Sequence, residues 1–302
     1  MNVTILGNNS ALPAHDRHPT AQFITLHTVD LLLDCGEGTQ MQMARYGVKW
    51  RRLTHIFISH LHGDHYLGLP GLLNSMSLLG RTAPLTVAGP VALGELLALL
   101  KSMGGGHPYG YEVRFQLIDP ARDLLLADTP EFSVEAFPVE HRIECYGFLV
   151  TQKSKGRKLL VEKAEAAGVP VSFYNRLKAG DDYVGEDGTV ISGTDLTEDG
   201  PAPKRYAYCA DTRYTESYLE VIRGADAIYH ESTFLEEDAE KATQRFHSTA
   251  RQAATIAQKA QAQRLLLGHY SSRYQEVHPF ADEAAILFPE VTATVEGHVY
   301  EI

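Results

Sequence analysis

The sequence predicts an α/β protein built as a sandwich of two mixed β-sheets with helices on the outside. In each half of the chain, strand-like runs come first and are followed by strand–helix alternation, which is typical of this layered class. The 302 residues with 44% hydrophobic content are enough for one large domain or two layers of a duplicated one. The sequence contains no short tandem repeat.

The predicted elements follow from apolar periodicity and from turn residues between the runs. Thr39 is the predicted N-cap of the first helix, and Gly104–Gly106 are predicted to end the third. We predict strands at 3–6, 22–34, 54–58, 85–88, 112–117, 132–138, 146–151, 206–210, 226–229 and 264–268, and helices at 39–45, 69–79, 91–102 and 248–262.

Residues 153–200 differ in composition from the rest of the chain. Residues 153–178 hold seven Lys or Arg and two Glu, whereas residues 179–200 hold seven Asp or Glu and no Lys or Arg. The stretch also has few long apolar runs. We therefore interpret residues 1–302 as a single domain with an inserted arm at 153–200; the alternative is an ordinary solvated excursion.

Charge and cysteine content limit the function classes. The net charge of −11 excludes a general polycation that coats nucleic acid, although a local basic patch is still possible. The three cysteines have no C-x-x-C spacing, which suggests a reducing compartment. Neither a signal peptide nor an apolar run of 18 residues is present, so we expect a cytoplasmic protein with no membrane association.

A histidine-rich loop follows the strand at 54–58. His60, His62, Asp64 and His65 lie within six residues, and their imidazole and carboxylate groups suit zinc or another borderline divalent ion. The alternative is a solvated His-rich turn. That alternative is disfavoured because later strands supply matching ligands.

Three later strand-like runs each end at a further candidate ligand: His141, Asp211 and His269. Because open α/β sheets collect their sites at the carboxyl ends of strands, we expect these groups to meet the histidine loop in one crevice. The seven groups divide between two metal ions, with Asp211 as a bridge. The predicted sets are His60, His62 and His141 for one ion, and Asp64, His65 and His269 for the other.

Glu231 and His247 form a candidate acid–base pair. Glu231 closes a strand, and His247 opens a helix. If Glu231 accepts a hydrogen bond from one ring nitrogen of His247, the other nitrogen can face a leaving oxygen. Ser248 as the helix N-cap would explain part of this pattern without any chemistry.

The complete set of motifs resembles ribonuclease Z, the tRNA 3′-processing endonuclease family of the metallo-β-lactamase superfamily. The matching runs begin at Asp34 (DCGEGTQ), Ser59 (SHLHGDH), Gly68 (GLPGLL), Ala210 (ADTR), His230 (HESTF) and His247 (HST). The resemblance covers the chain from its first strand to about residue 274 and implies a four-layer αββα sandwich, a homodimer and two zinc ions, with manganese as an alternative metal.

The same resemblance implies roles for individual residues. Asp64 would be both a metal ligand and a proton acceptor, while Glu231 and His247 would assist the leaving group. Arg213 and Arg17 fall where the family contacts substrate phosphate. The implied reaction is hydrolysis of one phosphodiester at the 3′ end of precursor tRNA.

The sequence departs from the family pattern mainly in the arm. The stretch at 168–174 (GVPVSFY) lacks a second Gly-Pro of the family's arm motif, and Arg17-His18 stands for an Arg-Asn pair. Two alternatives therefore stay open: a hydrolase of a small phosphodiester or other ester that uses the same metal site, and a non-catalytic RNA- or protein-binding scaffold.

Overall fold

The computed structural model describes residues 1–103 and 109–302. The chain divides into two compact units. Residues 1–151 and 205–302 form the main unit, and residues 152–204 form the other. Among the helices of the two described stretches, none is long and apolar enough to cross a membrane.

The strands reproduce most of the predicted runs and add short ones in residues 152–204 and at the C-terminus. They are β1 (Asn2–Gly7), β2 (Ala21–Thr25), β3 (Asp30–Leu33), β4 (Leu53–Phe57), β5 (Leu85–Gly89), β6 (Val113–Leu117), β7 (Leu125–Asp128), β8 (Phe132–Pro138), β9 (Tyr146–Gln152), β10 (Lys158–Leu159), β11 (Tyr183–Val184), β12 (Val190–Ile191), β13 (Thr197–Glu198), β14 (Lys204–Cys209), β15 (Ala227–Glu231), β16 (Leu265–Gly268), β17 (Val291–Ala293) and β18 (Val299–Glu301).

The helices are mostly short. The end predicted at Gly104–Gly106 lies outside the described residues. The helices are α1 (Thr39–Arg45), α2 (Gly63–Tyr66), α3 (Leu69–Leu78), α4 (Val91–Met103), α5 (Val161–Ala166), α6 (Tyr174–Ala179), α7 (Leu219–Ile222), α8 (Ala239–Arg245), α9 (Ala250–Lys259) and α10 (His278–Ala285).

The main unit contains two seven-stranded sheets. The first has the order β18-β1-β2-β3-β4-β5-β6, and the second has the order β17-β16-β15-β14-β9-β8-β7. Both sheets are mixed: β3 to β6 and β14 to β17 are parallel, whereas β1 pairs with β2 and β18 in antiparallel fashion, as β7 does with β8. The predicted fold class is confirmed.

The side-chain pattern of the central strands explains the four layers. Leu31 and Leu33 of β3 pack into the core between the sheets, while Leu32 packs in a second core beneath the helices of the first sheet. A third core joins the other sheet to its own helices through small residues such as Ala253 and Ala257 of α9. The central strands β3 and β16 are buried at every residue, and each contains three consecutive leucines, as is typical of a strand that is covered on both faces.

Two local predictions differ from the structure. The run at 22–34 is two strands, because Leu26 N–H donates to Val29 O (3.0 Å) and closes a turn. Helix α9 is capped by Thr249, which forms a capping box with Gln252, and not by Ser248. The Ser248 hydroxyl donates instead to the carbonyl oxygen of Thr212 (2.7 Å).

A close backbone approach fixes the end of β3 against the histidine loop. Gly68 N–H donates to Cys35 O (2.9 Å), and Cys35 N–H donates to His65 O (2.8 Å). A Cβ atom at Gly68 would lie 2.0 Å from the carbonyl oxygen of Gly36. Only glycine fits there without a backbone shift.

We therefore expect Gly68→Ala to lower the free energy of unfolding by about 1–3 kcal/mol, because the two loops must separate. Chemical denaturation measures the change. Gly110→Ala is the matched control, since its Cβ would make only ordinary contacts, with Ser77 Oγ at 3.7 Å and the carbonyl oxygen of Arg81 at 3.8 Å. Equal stability of the two variants would contradict this account of the loop contact.

Candidate metal centre

The predicted ligands gather at the carboxyl ends of strands from both sheets. His60 and His62 follow β4, and Asp64 and His65 lie in the one-turn helix α2. From the second sheet come three more groups, each just beyond a strand: His141, Asp211 and His269.

The first group of ligand atoms is formed by three imidazole nitrogens. His62 Nδ1 lies 3.0 Å from His60 Nε2 and 3.0 Å from His141 Nε2. Asp211 Oδ2 lies 3.6 Å from His60 Nε2 and 3.8 Å from His141 Nε2. Together with Asp211, these atoms converge closely enough to hold one metal ion.

The second group lies on the other side of the same carboxylate. Asp64 Oδ2 is 3.5 Å from His65 Nε2 and 3.4 Å from His269 Nε2. Asp211 Oδ1 is 3.3 Å from His65 Nε2 and 3.1 Å from His269 Nε2. The two oxygens of Asp211 therefore face different groups, which is the arrangement that a bridging ligand needs.

The donor atoms are better placed to bind a metal ion than to form hydrogen bonds with one another. Asp211 Oδ1, His65 Nε2 and His269 Nε2 are buried without a hydrogen-bond partner in the described part of the chain. Orphaned buried polar atoms are costly unless something else satisfies them. An oxygen-and-imidazole set of this kind suits zinc and also manganese.

Hydrogen bonds on the far side of the rings orient the inward nitrogens. His141 Nδ1–H donates to Phe246 O (3.0 Å), and His269 Nδ1–H donates to Thr233 Oγ1 (2.9 Å). His65 Nδ1–H donates to Asp34 Oδ2 (2.7 Å). Each bond leaves an Nε2 atom facing the centre, as is usual for metal-binding histidines.

Burial and the neighbouring carboxylates determine the pKa values of the clustered histidines and aspartates. Burial lowers the pKa of His60 well below its usual value and that of His141 to about 4, so both rings are neutral at pH 7. Burial would raise the pKa of Asp211, but His269 and His65 hold it well below its usual value. Neutral imidazole and ionised carboxylate are the forms that bind metal.

Three carboxylates surround the buried His65 ring. Burial would lower its pKa, but the carboxylates of Asp211, Asp64 and Asp34 raise it well above the usual histidine value. A positive charge is therefore favoured at this point of the site. A bound cation would take over that role.

Glu231 and His247 form the predicted pair. Glu231 Oε1 accepts from His247 Nδ1–H (2.8 Å) and from Thr212 N–H (3.1 Å), and Oε2 accepts from the backbone (2.9 Å) and hydroxyl (2.8 Å) of Thr233. The His247 ring centroid lies 5.3 Å from that of His141 and 5.4 Å from that of His269. Burial would lower the pKa of His247, but Glu231 raises it, so the ring can hold a proton beside the centre.

Asp34 belongs to the site, although the sequence offered it only as part of a motif. Its carboxylate is fully buried and accepts from Ser59 N–H (2.7 Å) and Ser59 Oγ (2.8 Å) as well as from His65. Its backbone is left-handed (φ 56°). An aspartate at a strand end before glycine looks like a turn residue, and only the Asp-Cys-Gly-Glu-Gly context distinguishes it.

The two arginines that the resemblance placed near substrate differ in their surroundings. Arg213 Nε–H donates to Glu140 Oε2 (2.5 Å), its guanidinium lies 5.0 Å from the Phe246 ring centroid, and 44% of its side chain is exposed. Arg17 instead donates to Asn9 Oδ1 (2.8 Å) and to two backbone carbonyl oxygens (2.6 and 2.8 Å). Their substrate roles stay predictions.

The loop that precedes Arg17 also reaches the centre. Ala11 N–H donates to Asp64 Oδ2 (2.7 Å), and Ser10 N–H donates to Tyr270 O (2.9 Å). Ala11 has a left-handed backbone (φ 65°). The first loop of the chain thus holds the carboxylate of a candidate ligand, Asp64, from outside the histidine loop, a contact that spacing along the sequence does not reveal.

Comparisons with known proteins identify the class. The model of the β-lactamase superfamily domain matches residues 181–270, and that of the anti-Pycsar protein Apyc1 matches residues 1–98. The YhfI protein of Bacillus subtilis, described as having the metallo-β-lactamase fold, has a similar structure (TM-score 0.70, 21% identity, 99% of each chain covered). Fold and site together define this chain as a metallo-β-lactamase-fold protein with a histidine–aspartate cluster suited to binding metal.

Closer relatives define the family. A ribonuclease Z of Parabacteroides distasonis is 45% identical, covering 98% of this chain and 97% of the relative, and one of Porphyromonas gingivalis is 42% identical, covering 97% and 96%. The short form of human tRNase Z is 27% identical with a TM-score of 0.71 and covers 100% of this chain and 99% of its own. The chain belongs to the ribonuclease Z family.

Proposed function

We propose that this protein is an endoribonuclease that uses two zinc ions to remove the 3′ trailer from precursor tRNA. The observation that carries the proposal is the buried Glu231–His247 pair beside seven converging ligands. Relatives named ribonuclease Z, which match nearly the full chain, support the choice of substrate. Manganese is an alternative occupant, because the same ligand set suits it.

The ligand sets assign one ion to His60, His62 and His141 and the other to Asp64, His65 and His269, with Asp211 shared. Divalent ions held there would polarise the phosphoryl group and lower the pKa of a water molecule. The chain's own residues supply the proton transfers and the positioning.

Asp64 is the proposed proton acceptor. Its Oδ2 atom is held by Ala11 N–H and faces both His65 and His269, and the residue is 8% exposed. Histidine neighbours keep its pKa below the usual range against the effect of burial, so the carboxylate is ionised and can take a proton from the attacking water.

His247 is the proposed proton donor. Glu231 holds its Nδ1–H, so Nε2–H can donate to the 3′ oxygen of the tRNA as the phosphorus–oxygen bond breaks. The products are a tRNA with a 3′-hydroxyl and a trailer with a 5′-phosphate. Arg213, on the rim with Phe246, is the proposed contact for a substrate phosphate.

We expect Asp64→Ala and His247→Ala to lose cleavage of a 3′-extended precursor tRNA by several orders of magnitude, for different reasons. Asp64→Ala removes a ligand and should lose metal, whereas His247→Ala should keep it. Gel assays and elemental analysis of the same samples measure both effects.

Ser217→Ala, an exposed change in the turn before α7, serves as the control and should behave like wild type. No cleavage by zinc-loaded wild type would sink the proposal. Activity on a bis-aryl phosphate without activity on tRNA would establish the small-ester hydrolase instead. Unchanged function in Asp64→Ala would favour a non-catalytic scaffold.

We also propose that residues 153–200 act as an arm that grips tRNA. Residues 152–204 have a small core of their own, centred on Ala164, Val169, Leu177 and Leu196. Acidic partners pair with three of the arm's cations, in Arg157–Asp199, Lys158–Glu198 and Arg176–Asp181.

The arm's exposed cations without such a partner are the proposed phosphate contacts. In the described part of the chain, Lys155, Lys163 and Lys178 are exposed and belong to none of the ion pairs. Lysines that contact phosphate release counterions and make binding dependent on salt. The salt dependence of tRNA binding therefore tests the role of these lysines.

Replacing residues 153–200 by a short flexible linker should abolish tRNA cleavage while metal content and bis-aryl phosphate hydrolysis remain. The linker is feasible because β9 and β14, which flank the arm, are neighbours in one sheet. Lys155→Glu combined with Lys163→Glu and Lys178→Glu should raise KM for tRNA and flatten its salt dependence. Full tRNA cleavage by the deletion variant would exclude the arm as the grip.

A homodimer is the proposed assembly. Gly71, Asn74 and Leu78 lie on the exposed side of α3, and Leu67, just before this helix, continues the same spacing; Leu67 and Leu78 are 53% and 79% exposed. Large exposed apolar side chains at such spacing are typical of a surface that a partner covers. A second copy of the chain is the partner that we propose.

Light scattering should show a dimer for wild type and a monomer for Leu78→Asp, because a buried charge without a partner is costly at an interface. Ile286→Asp is the control, since Ile286 is exposed to a similar extent (74%) but lies elsewhere, just after α10. A monomeric wild type, or a Leu78→Asp variant that stays dimeric, would contradict this assignment.

A further inference from the structure

The hydroxyl of Tyr208 reaches the metal-ligand network from the opposite sheet. Tyr208 lies on β14 of the second sheet, and its hydroxyl donates to Asp34 Oδ2 at 2.5 Å, beyond the end of β3 in the first sheet. The same oxygen accepts from His65 Nδ1–H and Ser59 Oγ–H. Three donors therefore converge on the atom that orients a ligand histidine.

Packing holds the Tyr208 ring in place. The residue is 1% exposed, and its ring is stacked with those of Phe148 (centroids 6.3 Å apart, 8° between planes) and Tyr229 (5.4 Å, 18°). Since β14 alternates, Tyr206 and Tyr208 face the core between the sheets, whereas Ala207 and Cys209 face the outer helices. A rigid ring fixes the position of its hydroxyl.

Tyr208 also precedes Asp211 by three residues. Asp211 carries the second sheet's ligand oxygens, and His65 belongs to the first sheet. Through Asp34, the tyrosine fixes the direction of His65 relative to the strand that delivers Asp211. Losing the hydroxyl would leave Asp34 free to shift, and the His65 ring with it.

We propose that Tyr208 is a positioning residue that sets the metal affinity of the group formed by Asp64, His65 and His269. This inference rests on the proposed metal centre. Tyr208 itself contacts neither a proposed metal ligand nor the substrate. In the sequence, it lies in an apolar run that looks like an ordinary core strand. Partners of this kind typically change metal affinity about 10–100-fold when removed.

The chain provides a matched control. Tyr206 lies two residues earlier on β14, is equally buried, and faces the same core. Its hydroxyl also crosses to the first sheet, where it donates to Gln22 Oε1 at 2.5 Å, but Gln22 contacts none of the proposed ligands through a described hydrogen bond. Tyr208→Phe and Tyr206→Phe each remove one buried hydroxyl that bonds across the two sheets.

The experiment compares zinc binding by calorimetry, and the absorption spectrum of the cobalt-substituted protein, in wild type and both variants. Tyr208→Phe should weaken one of the two sites by about 10–100-fold and alter the cobalt spectrum, while Tyr206→Phe leaves both unchanged. If Tyr208→Phe is too unstable for titration, its zinc-induced rise in melting temperature should still be smaller than that of Tyr206→Phe.

The remaining outcomes separate the role of Tyr208 from the metal centre. Equal zinc affinities and spectra in the two variants would overturn the role of Tyr208 while leaving the metal centre in place. Absence of zinc or manganese binding by wild type would overturn the metal centre itself. A loss of stability common to both variants, with no change in affinity, would show that the hydroxyl serves only the core.

Discussion

The carboxylate of Asp211 joins the two halves of the fold, because its two oxygens face histidines of both sheets. Oδ1 lies between His65 of the first sheet and His269 of the second, and Oδ2 lies near His60 and His141. Neither sheet could assemble this centre alone. The sandwich therefore has to bring two sets of strand ends to one edge, and the glycine contacts between the first-sheet loops serve that alignment.

Hydrogen bonds on the outer side of the histidine rings fix the orientation of the candidate ligands. Asp34, Thr233 and the carbonyl of Phe246 each accept from the Nδ1 atom of one clustered histidine, so the Nε2 atoms face the candidate centre. Asp34, Phe246 and His269 all have left-handed backbones (φ 56°, 60° and 60°). Such conformations are costly for residues other than glycine and cluster where function requires them.

The sequence predicts those parts of the site whose chemistry lies in the residue type. Histidine and aspartate that recur at strand ends are characteristic of a metal centre, and the parallel strands bring them together as expected. Asp34 and Tyr208 could not be predicted in this way, because an aspartate at a strand end looks like a turn residue and a tyrosine among apolar residues looks like core. Ser248 and Thr249 are both cap residues by type, but only Thr249 has a glutamine three residues later to complete a capping box, and the Ser248 hydroxyl bonds to Thr212 instead.

The charge distribution indicates that the residues that attract the substrate are different from those that form the candidate metal centre. With a net charge of −11, the chain as a whole repels RNA, so attraction has to come from local groups of cations. Arg17 is engaged by protein oxygens, and Glu140 holds Arg213 at the rim, which leaves its terminal nitrogens available. The arm concentrates lysines but pairs several basic side chains with its own acidic half. Under the proposed role of the arm, selectivity comes from the few cations that its ion pairs leave over in the described residues. The candidate metal ligands, in contrast, are buried or half-buried.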